Sequence, residues 1–454
     1  MKKTSFRYWK RGLAGALTAA MAISMSACSG GNQGGADQGN AAQGSQENAA
    51  QAEGSTQANL GGGNGETITV AIWDAGQKDG LDQIIADYTA ATGNKAEIQV
   101  VTWDQYWTLL EAGATGGDLP DVFWMHSNEA ERYMRNDILM DLTDRISSSE
   151  KLEMDKFPEE IKTLYQYDAK TYAIPKDVDT IALFYNKTLF DEAGLDYPDD
   201  TWTWDDYYDA AVALTKEDGS QYGTAMSPTN NQDGWMNIVY SMGGRVISDD
   251  KKSSGFDDPA TLKAMEYVDR LVKNGMPPAS VMAENANDVM LGSGKIAMLP
   301  LGSWRIAPMK THEYISQNCA VAVLPKDAET GRRISIYNGL GWAISAKTEN
   351  PDAAWQLVEW FGSKEGQTRQ AELGVSMSAY EGVSDGWKAN TDTFDLQPFL
   401  DMREDVVFRP YSSSTVTWEN QITEDLKEAW NGSRSMADTC AAITEHMNQI
   451  LAEE

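Results

Sequence analysis

The alternation of strand and helix is clearest in residues 67–101, which read TITVAIWDAGQKDGLDQIIADYTAATGNKAEIQVV. Residues 67–73 have the length and the β-branched content of a strand. Apolar residues within 81–88 then recur at helical spacing, and Gly93 can end that helix. Because residues 96–101 again have the composition of a strand, this stretch predicts a β-α-β unit.

The same alternation continues after this first unit. A helix is predicted around 106–112, where Gly113 can end it, and a third strand is predicted over 121–124. Repeated units of this kind favour a parallel sheet with helices on both faces, and such sheets bind ligands beyond the carboxyl ends of their strands. The residues that this rule places at the ligand-binding edge are Trp73, Asp74, Trp124, His126 and Ser127.

A second sheet is predicted further along the chain. The extended segment 172–175 ends at a proline, and the strongly apolar segment 177–186 has the character of a new strand. The aromatic run at 201–208 is interpreted as a helix start, with Thr203 as its cap. Further helices are predicted over 204–215, 258–274 and 351–361, followed by two C-terminal helices separated at Asn431-Gly432.

Composition excludes several classes of protein. The 454 residues carry 37 Lys and Arg against 68 Asp and Glu, a formal net charge of −31, which argues against nucleic-acid binding. Apolar residues make up 41% of the chain, enough for two or three globular domains. Fifteen Trp against three Cys and three His make a disulfide scaffold or a Cys/His zinc site a poor hypothesis.

The first 27 residues are interpreted as an export signal. A basic start precedes an apolar stretch at 13–25 that is too short to span a bilayer. The sequence at 25–28 resembles the bacterial lipobox, in which Cys28 is lipidated and becomes the mature N-terminus; the alternative is a signal cut elsewhere. Residues 29–66 have the composition of a flexible linker. No transmembrane segment is predicted after the signal.

The two remaining cysteines, Cys319 and Cys440, leave two alternatives open. An exported protein can form a disulfide between them, or both can be ordinary buried thiols, which is the favoured interpretation.

Five segments, in this order, resemble the extracellular solute-binding proteins of ABC transporters, in the family that includes maltose- and oligosaccharide-binding proteins. They are the lipobox at Cys28, PDVFW at 120–124, the run from YAIP at 172–175 to YNK at 185–187, GKIAM at 294–298 with GSW at 302–304, and GLGWAIS at 339–345. The resemblance covers roughly residues 66 to 452.

The resemblance implies an α/β fold of two lobes, joined by three hinge crossings, with a ligand cleft between the lobes. The crossings are expected near 175–181, 338–345 and 402–411. The expected N-terminal lobe comprises 67–176 and 344–402, and the expected C-terminal lobe comprises 180–338 and 410–454. Hinge closure around the ligand is the motion that such a fold implies.

Carbohydrate chemistry suits the residues at these positions. A sugar ring needs flat apolar platforms, which indole provides, and planar polar groups around its rim of hydroxyls. The candidate platforms are Trp73, Trp124, Trp235, Trp304 and Trp342. The candidate rim groups are Asp179 first, then Asp74, Ser127 and Arg409. Each has a structural alternative: an indole can pack in a core, Asp179 can cap a helix or pair in the hinge, and Arg409 can pair with an acid.

The functional hypothesis is therefore a lipid-anchored monomer on the outer face of the membrane. It is expected to capture a sugar or oligosaccharide and deliver it to an ABC permease, without catalysis, cofactor or metal. One alternative is an exported glycoside hydrolase, which also combines Trp platforms with carboxylates. The sequence contains no Gly-x-Ser-x-Gly, His-Glu-x-x-His or EF-hand motif. A second alternative is a protein of the same fold that binds another polar solute.

Overall fold

The computed structural model describes residues 67–226 and 232–454. The predicted export signal, Cys28 and the linker lie outside the described residues. The strands in the described ranges are β1 Ile68–Ile72, β2 Ala96–Val100, β3 Val122–Met125, β4 Gln166–Tyr167, β5 Lys170–Thr171, β6 Ala173–Pro175, β7 Ile181–Asn186, β8 Tyr222–Thr224, β9 Ile296–Gly302, β10 Cys319–Ala322, β11 Ser335–Tyr337, β12 Gly341–Ile344 and β13 Val406–Phe408.

The helices in the same ranges are α1 Lys78–Thr92, α2 Trp103–Gly116, α3 Ser127–Arg135, α4 Thr143–Ser147, α5 Glu159–Leu164, α6 Lys187–Ala193, α7 Trp204–Ala213, α8 Trp235–Ser241, α9 Pro259–Gly275, α10 Ala279–Glu284, α11 Asn287–Gly292, α12 Ile306–Thr311, α13 Glu313–Asn318, α14 Pro351–Gly362, α15 Lys364–Glu372, α16 Ser384–Lys388, α17 Gln397–Asp401, α18 Thr415–Trp430 and α19 Met436–Leu451. Short 3₁₀ turns lie at Ala75–Gln77, Met154–Lys156 and Ser303–Arg305. Over these residues, no helix has the length and hydropathy needed to span a bilayer.

The first sheet has the strand order β2-β1-β3-β12-β6. Strand β1 pairs in parallel with β2 and β3, as the β-α alternation predicts. Strand β12 runs antiparallel to both β3 and β6, so the sheet is mixed rather than parallel. The reason is connectivity, because β12 enters this sheet from the distant second half of the chain.

The second sheet has the order β10-β7-β9-β8, with β7 antiparallel to both of its neighbours. Its core contains Trp204, which is buried, and Thr203 forms the capping box of α7 with Asp206. The structural interpretation of the aromatic run at 201–208 is therefore confirmed. Cys319 and Cys440 are buried free thiols, which decides between the two alternatives for these residues.

The chain passes between the two sheets through three adjacent segments. The first links β6 to β7, and the second links β11 to β12. Backbone hydrogen bonds join them, from Lys176 N to Leu340 O at 2.8 Å and from Asp179 N to Asn338 O at 2.7 Å. The third segment contains β13, which pairs in parallel with β11 and leads to α18. These segments fall where the family resemblance places the three crossings.

One packing arrangement bears on the expected lobe boundaries. Phe394 and Phe399 precede the third crossing, yet both rings contact Phe184 of β7 in the second sheet, at centroid distances of 5.4 and 6.4 Å. The end of the segment expected in the N-terminal lobe therefore packs on the second sheet. The exact lobe boundaries remain a prediction.

Candidate ligand-binding site

A cavity of about 780 Å³ lies between residues carried by the two sheets. Trp73 and His126 reach it from the ends of β1 and β3, and Trp304 reaches it from the end of β9. The first crossing contributes Asp177 and Asp179 to its wall, and the second crossing contributes Leu340. The placement of side chains after strand ends agrees with the rule that ligands bind at the carboxyl ends of strands.

Trp73 is the centre of an aromatic wall on the first-sheet side. Its ring centroid lies 5.1 Å from that of Trp103 and 5.9 Å from that of Trp107. Trp103 and Trp107 are themselves 5.5 Å apart and nearly perpendicular. Such edge-to-face contacts hold large aromatic side chains in defined orientations. The wall therefore offers rigid apolar area to a ligand.

The sequence analysis did not predict Trp103 and Trp107 as site residues, yet both line the cavity. The helix was predicted to begin near Tyr106, whereas α2 begins at Trp103. Trp103, Trp107 and Glu111 recur every four residues, and all three line the cavity. Residues four apart lie on the same side of a helix. With the helix start placed at Trp103 instead of Tyr106, this spacing identifies the side of α2 that faces the cavity.

Trp304 faces the cavity from the second-sheet side, in the turn that follows β9. Gly302, the last residue of β9, lies directly beneath its indole, and a Cβ atom at that position would overlap the ring. The absence of a side chain at Gly302 thus allows the indole to lie over the strand end. Arg305 follows in the same turn and forms an ion pair with Asp288.

Asp74 is fixed by its neighbours at the start of the 3₁₀ turn after β1. Its Oδ1 accepts a hydrogen bond from Gly76 N at 2.8 Å, and its Oδ2 accepts one from Gln77 Nε2 at 3.2 Å. Both Asp74 and Gln77 line the cavity. The carboxylate is consequently held in place before any ligand arrives.

Asp177 and Asp179 bring two carboxyl groups into the first crossing. Asp177 forms an ion pair with Lys176, and its Oδ1 accepts a hydrogen bond from Leu340 N at 2.8 Å. Asp179 is only 5% exposed and accepts a hydrogen bond from Ser303 Oγ at 3.4 Å. Burial, with a smaller contribution from the charge of Asp177, raises the pKa of Asp179 well above its usual range, and Lys176 opposes this shift.

Arg409 combines a buried ion pair with unused donors. One of its terminal nitrogens lies 2.7 Å from Glu419 Oε1, and the residue is 5% exposed. Within the part of the chain that the structure describes, its Nε and Nη1 have no hydrogen-bond partner. Burial raises the pKa of Glu419, and Arg409 opposes that rise. Arg409 thus pairs with an acid and also lines the cavity.

His126 is neutral at physiological pH. Burial and, secondarily, the charge of Arg409 lower its pKa to about 3. Its Nδ1 lies 2.6 Å from Asn128 Oδ1, and its Nε2 lies 3.1 Å from Asn338 Nδ2. Asn128 N also lies 3.3 Å from Nδ1, and a single tautomer cannot use Nδ1 as both donor and acceptor. A neutral ring that donates from Nδ1 and accepts at Nε2 satisfies the two shorter contacts. His126 therefore joins the first sheet to the second crossing.

Four of the nine expected ligand contacts do not line this cavity. Trp124, Trp235 and Trp342 are fully buried, and Ser127 is nearly so. Trp342 stacks on Phe361 at a centroid distance of 4.2 Å, and Trp235 packs against Phe256. Trp124 and Trp342 lie within paired strands rather than after them, so their indoles join the core of the first sheet. For these three indoles the structure supports packing instead of the expected platform role.

The other five expected residues come together at the cavity: Trp73, Asp74, Asp179, Trp304 and Arg409. In the described ranges, no group of three or more His, Cys, Asp or Glu side chains is arranged to hold a metal ion.

The sequence profile of bacterial extracellular solute-binding proteins matches residues 83–394. The chain belongs to this family. Among its relatives is a galactooligosaccharide-binding protein of Bacillus subtilis, which is 23% identical over 324 residues, covering 67% of this chain and 71% of the relative. A maltotriose-binding protein of Pyrococcus abyssi is 24% identical over 67% of this chain and 64% of the relative.

Solved structures of ABC solute-binding proteins have the same fold. An ABC substrate-binding protein from Listeria monocytogenes, in complex with cycloalternan, matches with a TM-score of 0.79 at 19% identity, covering 85% of this chain and 99% of the other. A solute-binding protein from Thermotoga lettingae, bound with α-D-tagatose, matches with a TM-score of 0.75 at 23% identity, covering 85% of this chain and all of the other. The two-lobed α/β architecture of the solute-binding family is thus the fold of this chain.

Proposed function

We propose that this protein captures a sugar or oligosaccharide in the cavity between its two sheets and delivers it to the permease of an ABC transporter. One observation carries the proposal: indoles from both sides, Trp73 and Trp103 against Trp304, face one cavity that also holds carboxylates and a guanidinium. Indole faces suit the C–H-rich faces of a pyranose, and the charged groups suit its hydroxyls.

The polar groups give the cavity both kinds of hydrogen-bonding partner that a hydroxyl can use. Asp74 supplies an ordered acceptor, whereas Arg409 supplies two buried donors with no partner among the described residues. A hydroxyl donates one hydrogen bond and accepts others, so a polyol satisfies both groups at once. Leaving buried donors unsatisfied is costly, which favours a ligand that reaches Arg409.

The printed names of the relatives agree with this chemistry. They describe binding proteins for galactooligosaccharide, maltotriose and arabinooligosaccharide, and one solved relative is bound with D-mannitol. These names also describe binding rather than catalysis, which favours capture over hydrolysis for this chain.

The proposal includes attachment to the outer face of the membrane. Lipidation of Cys28 and a flexible linker over 29–66 would tether the folded body, acting as a monomer, near its permease. Hinge closure at the three crossings would enclose the sugar and create the surface that the permease recognises. A lipid anchor is required in this account because the acidic protein has little attraction of its own for an anionic membrane.

A thermal-shift screen tests the proposal. Maltotriose, galactooligosaccharides, arabinooligosaccharides and D-mannitol are suitable probes, since selective binding to the folded state raises the melting temperature. We expect Trp304→Ala to abolish the shift while the unliganded protein stays folded, because this indole is only partly buried. No shift with any carbohydrate would contradict the proposal. Release of reducing ends by substoichiometric protein would favour the hydrolase instead.

A further inference from the structure

We propose that Lys176, which does not line the cavity, is a positioning residue that orients Asp74 through Gln77. This inference rests on the proposed function, because the orientation of the Asp74 carboxylate matters for binding only if the cavity binds a ligand. Lys176 is 0% exposed and belongs to the first crossing. Its ammonium group therefore cannot touch a ligand in this conformation, and any effect on binding must be transmitted by other side chains.

The ammonium group of Lys176 has an acceptor for each of its three hydrogens. Nζ lies 2.9 Å from Gln77 Oε1 and 3.1 Å from Ser376 Oγ, and it forms an ion pair with Asp177. It also lies 4.6 Å from the ring centroid of Trp124, within reach of a cation–π contact. Lys176 is consequently held on all sides and has a defined position.

This contact fixes the orientation of the Gln77 amide. An ammonium group only donates hydrogen bonds, so the amide oxygen must face Lys176 and the amide nitrogen must face away. The amide nitrogen then donates to Asp74 Oδ2 at 3.2 Å. Without the ammonium group, the amide oxygen of Gln77 loses its donor, so the side chain is held only at its nitrogen end and no longer has a fixed position from which to donate to Asp74. Lys176, Gln77 and Asp74 thus form one hydrogen-bonded chain that Lys176 anchors.

Stability alone is a poor explanation for a lysine at this position. Transfer of an ammonium and a carboxylate from water into the protein interior carries a large desolvation penalty, and apolar replacements of a buried ion pair are often at least as stable. The Lys176–Asp177 pair instead joins three parts of the site, because Asp177 Oδ1 also binds Leu340 N in the second crossing. The ion pair thus links the first and second crossings to the turn that carries Asp74.

The test compares K176M/D177N with D177N, so that the two variants differ only at Lys176 and neither holds a buried Asp177 charge; in D177N the Lys176 ammonium loses its carboxylate but keeps its acceptors on Gln77 and Ser376. Hydrogen exchange of the Gly76 and Gln77 amides is measured without ligand, since the Gly76 amide donates to Asp74 Oδ1 and the Gln77 amide donates to the main-chain carbonyl of Asp74 in the same turn. We expect exchange at least about fivefold faster in K176M/D177N, because the turn loses its fixed carboxylate. Equal exchange rates in the two variants would overturn the proposal. The control T69V removes partly buried hydrogen bonds between Thr69 of β1 and Asp121, and it should leave these amides unchanged.

A binding cycle with D74N provides the functional readout, using the tightest-binding sugar from the thermal-shift screen. In the D177N background, we expect D74N to weaken binding about tenfold. In the K176M/D177N background, it should weaken binding less than about twofold, because Asp74 is already misplaced. Equal losses in both backgrounds would contradict the anchoring role of Lys176. Failure of every sugar to bind the parent protein would refute the proposed function, while the exchange measurement would still decide the role of Lys176.

Discussion

Trp73 and Trp124 lie 4.9 Å apart by ring centroid but occupy different environments. Trp73 is the first residue after β1, so part of its indole reaches the cavity, whereas Trp124 lies inside β3 and is fully buried. Trp73 lies one residue after a strand end and lines the cavity, whereas Trp124 lies one residue before a strand end and belongs to the core. Strand boundaries are the least certain part of a sequence-based prediction, which is why the sequence could not distinguish these two tryptophans.

Truncation of two tryptophans should separate binding from stability. Trp103 is 40% exposed and packs edge-on against Trp73, so Trp103→Ala should weaken sugar binding about tenfold and change stability by less than about 1 kcal/mol. Trp342 is fully buried on Phe361, so Trp342→Ala should cost about 3–5 kcal/mol of stability. Calorimetric titration and denaturant unfolding measure the two effects. A binding loss confined to the Trp342 variant, with none at Trp103, would contradict this assignment.

The buried carboxyl group of Asp233 should make the stability of the protein depend on pH. Burial raises its pKa from 3.8 to about 7, and the charges of Arg305 and Arg409 oppose the rise. Between these two pH values the folded state holds a proton that the unfolded chain has released, so stability falls as pH rises from about 4 to about 7. The full cost, at most about 4 kcal/mol, applies above pH 7.

The variant Asp233→Asn should remove this cost. We expect its melting temperature to exceed that of the parent protein at pH 8, and the difference to shrink or vanish near pH 4. Differential scanning calorimetry at both pH values measures this change. A difference that does not depend on pH would show that Asp233 is not the titrating group.

At the scale of single elements, the starts of α7 and α2 differ in how well the sequence predicts them. Thr203 was expected to cap the helix at Trp204, and the capping box of Thr203 and Asp206 is present. The start of α2 was missed by three residues because Thr102 precedes it without a side-chain cap hydrogen bond. Local chemistry therefore identified α7, whereas the cavity-facing residues of α2 required the structure.

The α7 capping box should affect stability but not binding. Thr203→Ala removes hydrogen bonds with both the backbone and the side chain of Asp206. We expect a loss of about 1 kcal/mol in the free energy of unfolding, the usual value for a helix cap. Denaturant unfolding checks the magnitude. Because α7 does not line the cavity, a change in sugar affinity larger than about twofold would contradict the separation between this helix and the site.

At the scale of the whole molecule, local patterns predicted the two sheets and the parallel pairing of β1 with β2 and β3, but not the antiparallel pairing of β12. The β-α alternation gives no indication that β12 joins β3 and β6, because its pairing partners precede it by more than 150 residues. The family resemblance supplied the three crossings, and with them the position of the cavity. Burial then decided which tryptophans face the cavity, and single-sequence reasoning does not provide that information.

The central claim is that a carbohydrate binds between the two sheets, against indoles from both. The most direct measurement is a crystal structure of the protein with the tightest-binding sugar from the thermal-shift screen. The account predicts sugar rings packed against Trp73 or Trp103 on one side and Trp304 on the other, with hydroxyls bonded to Arg409 and to Asp74 or Asp179. A sugar bound outside this cavity, or in it without contact to any of these indoles, would contradict the account.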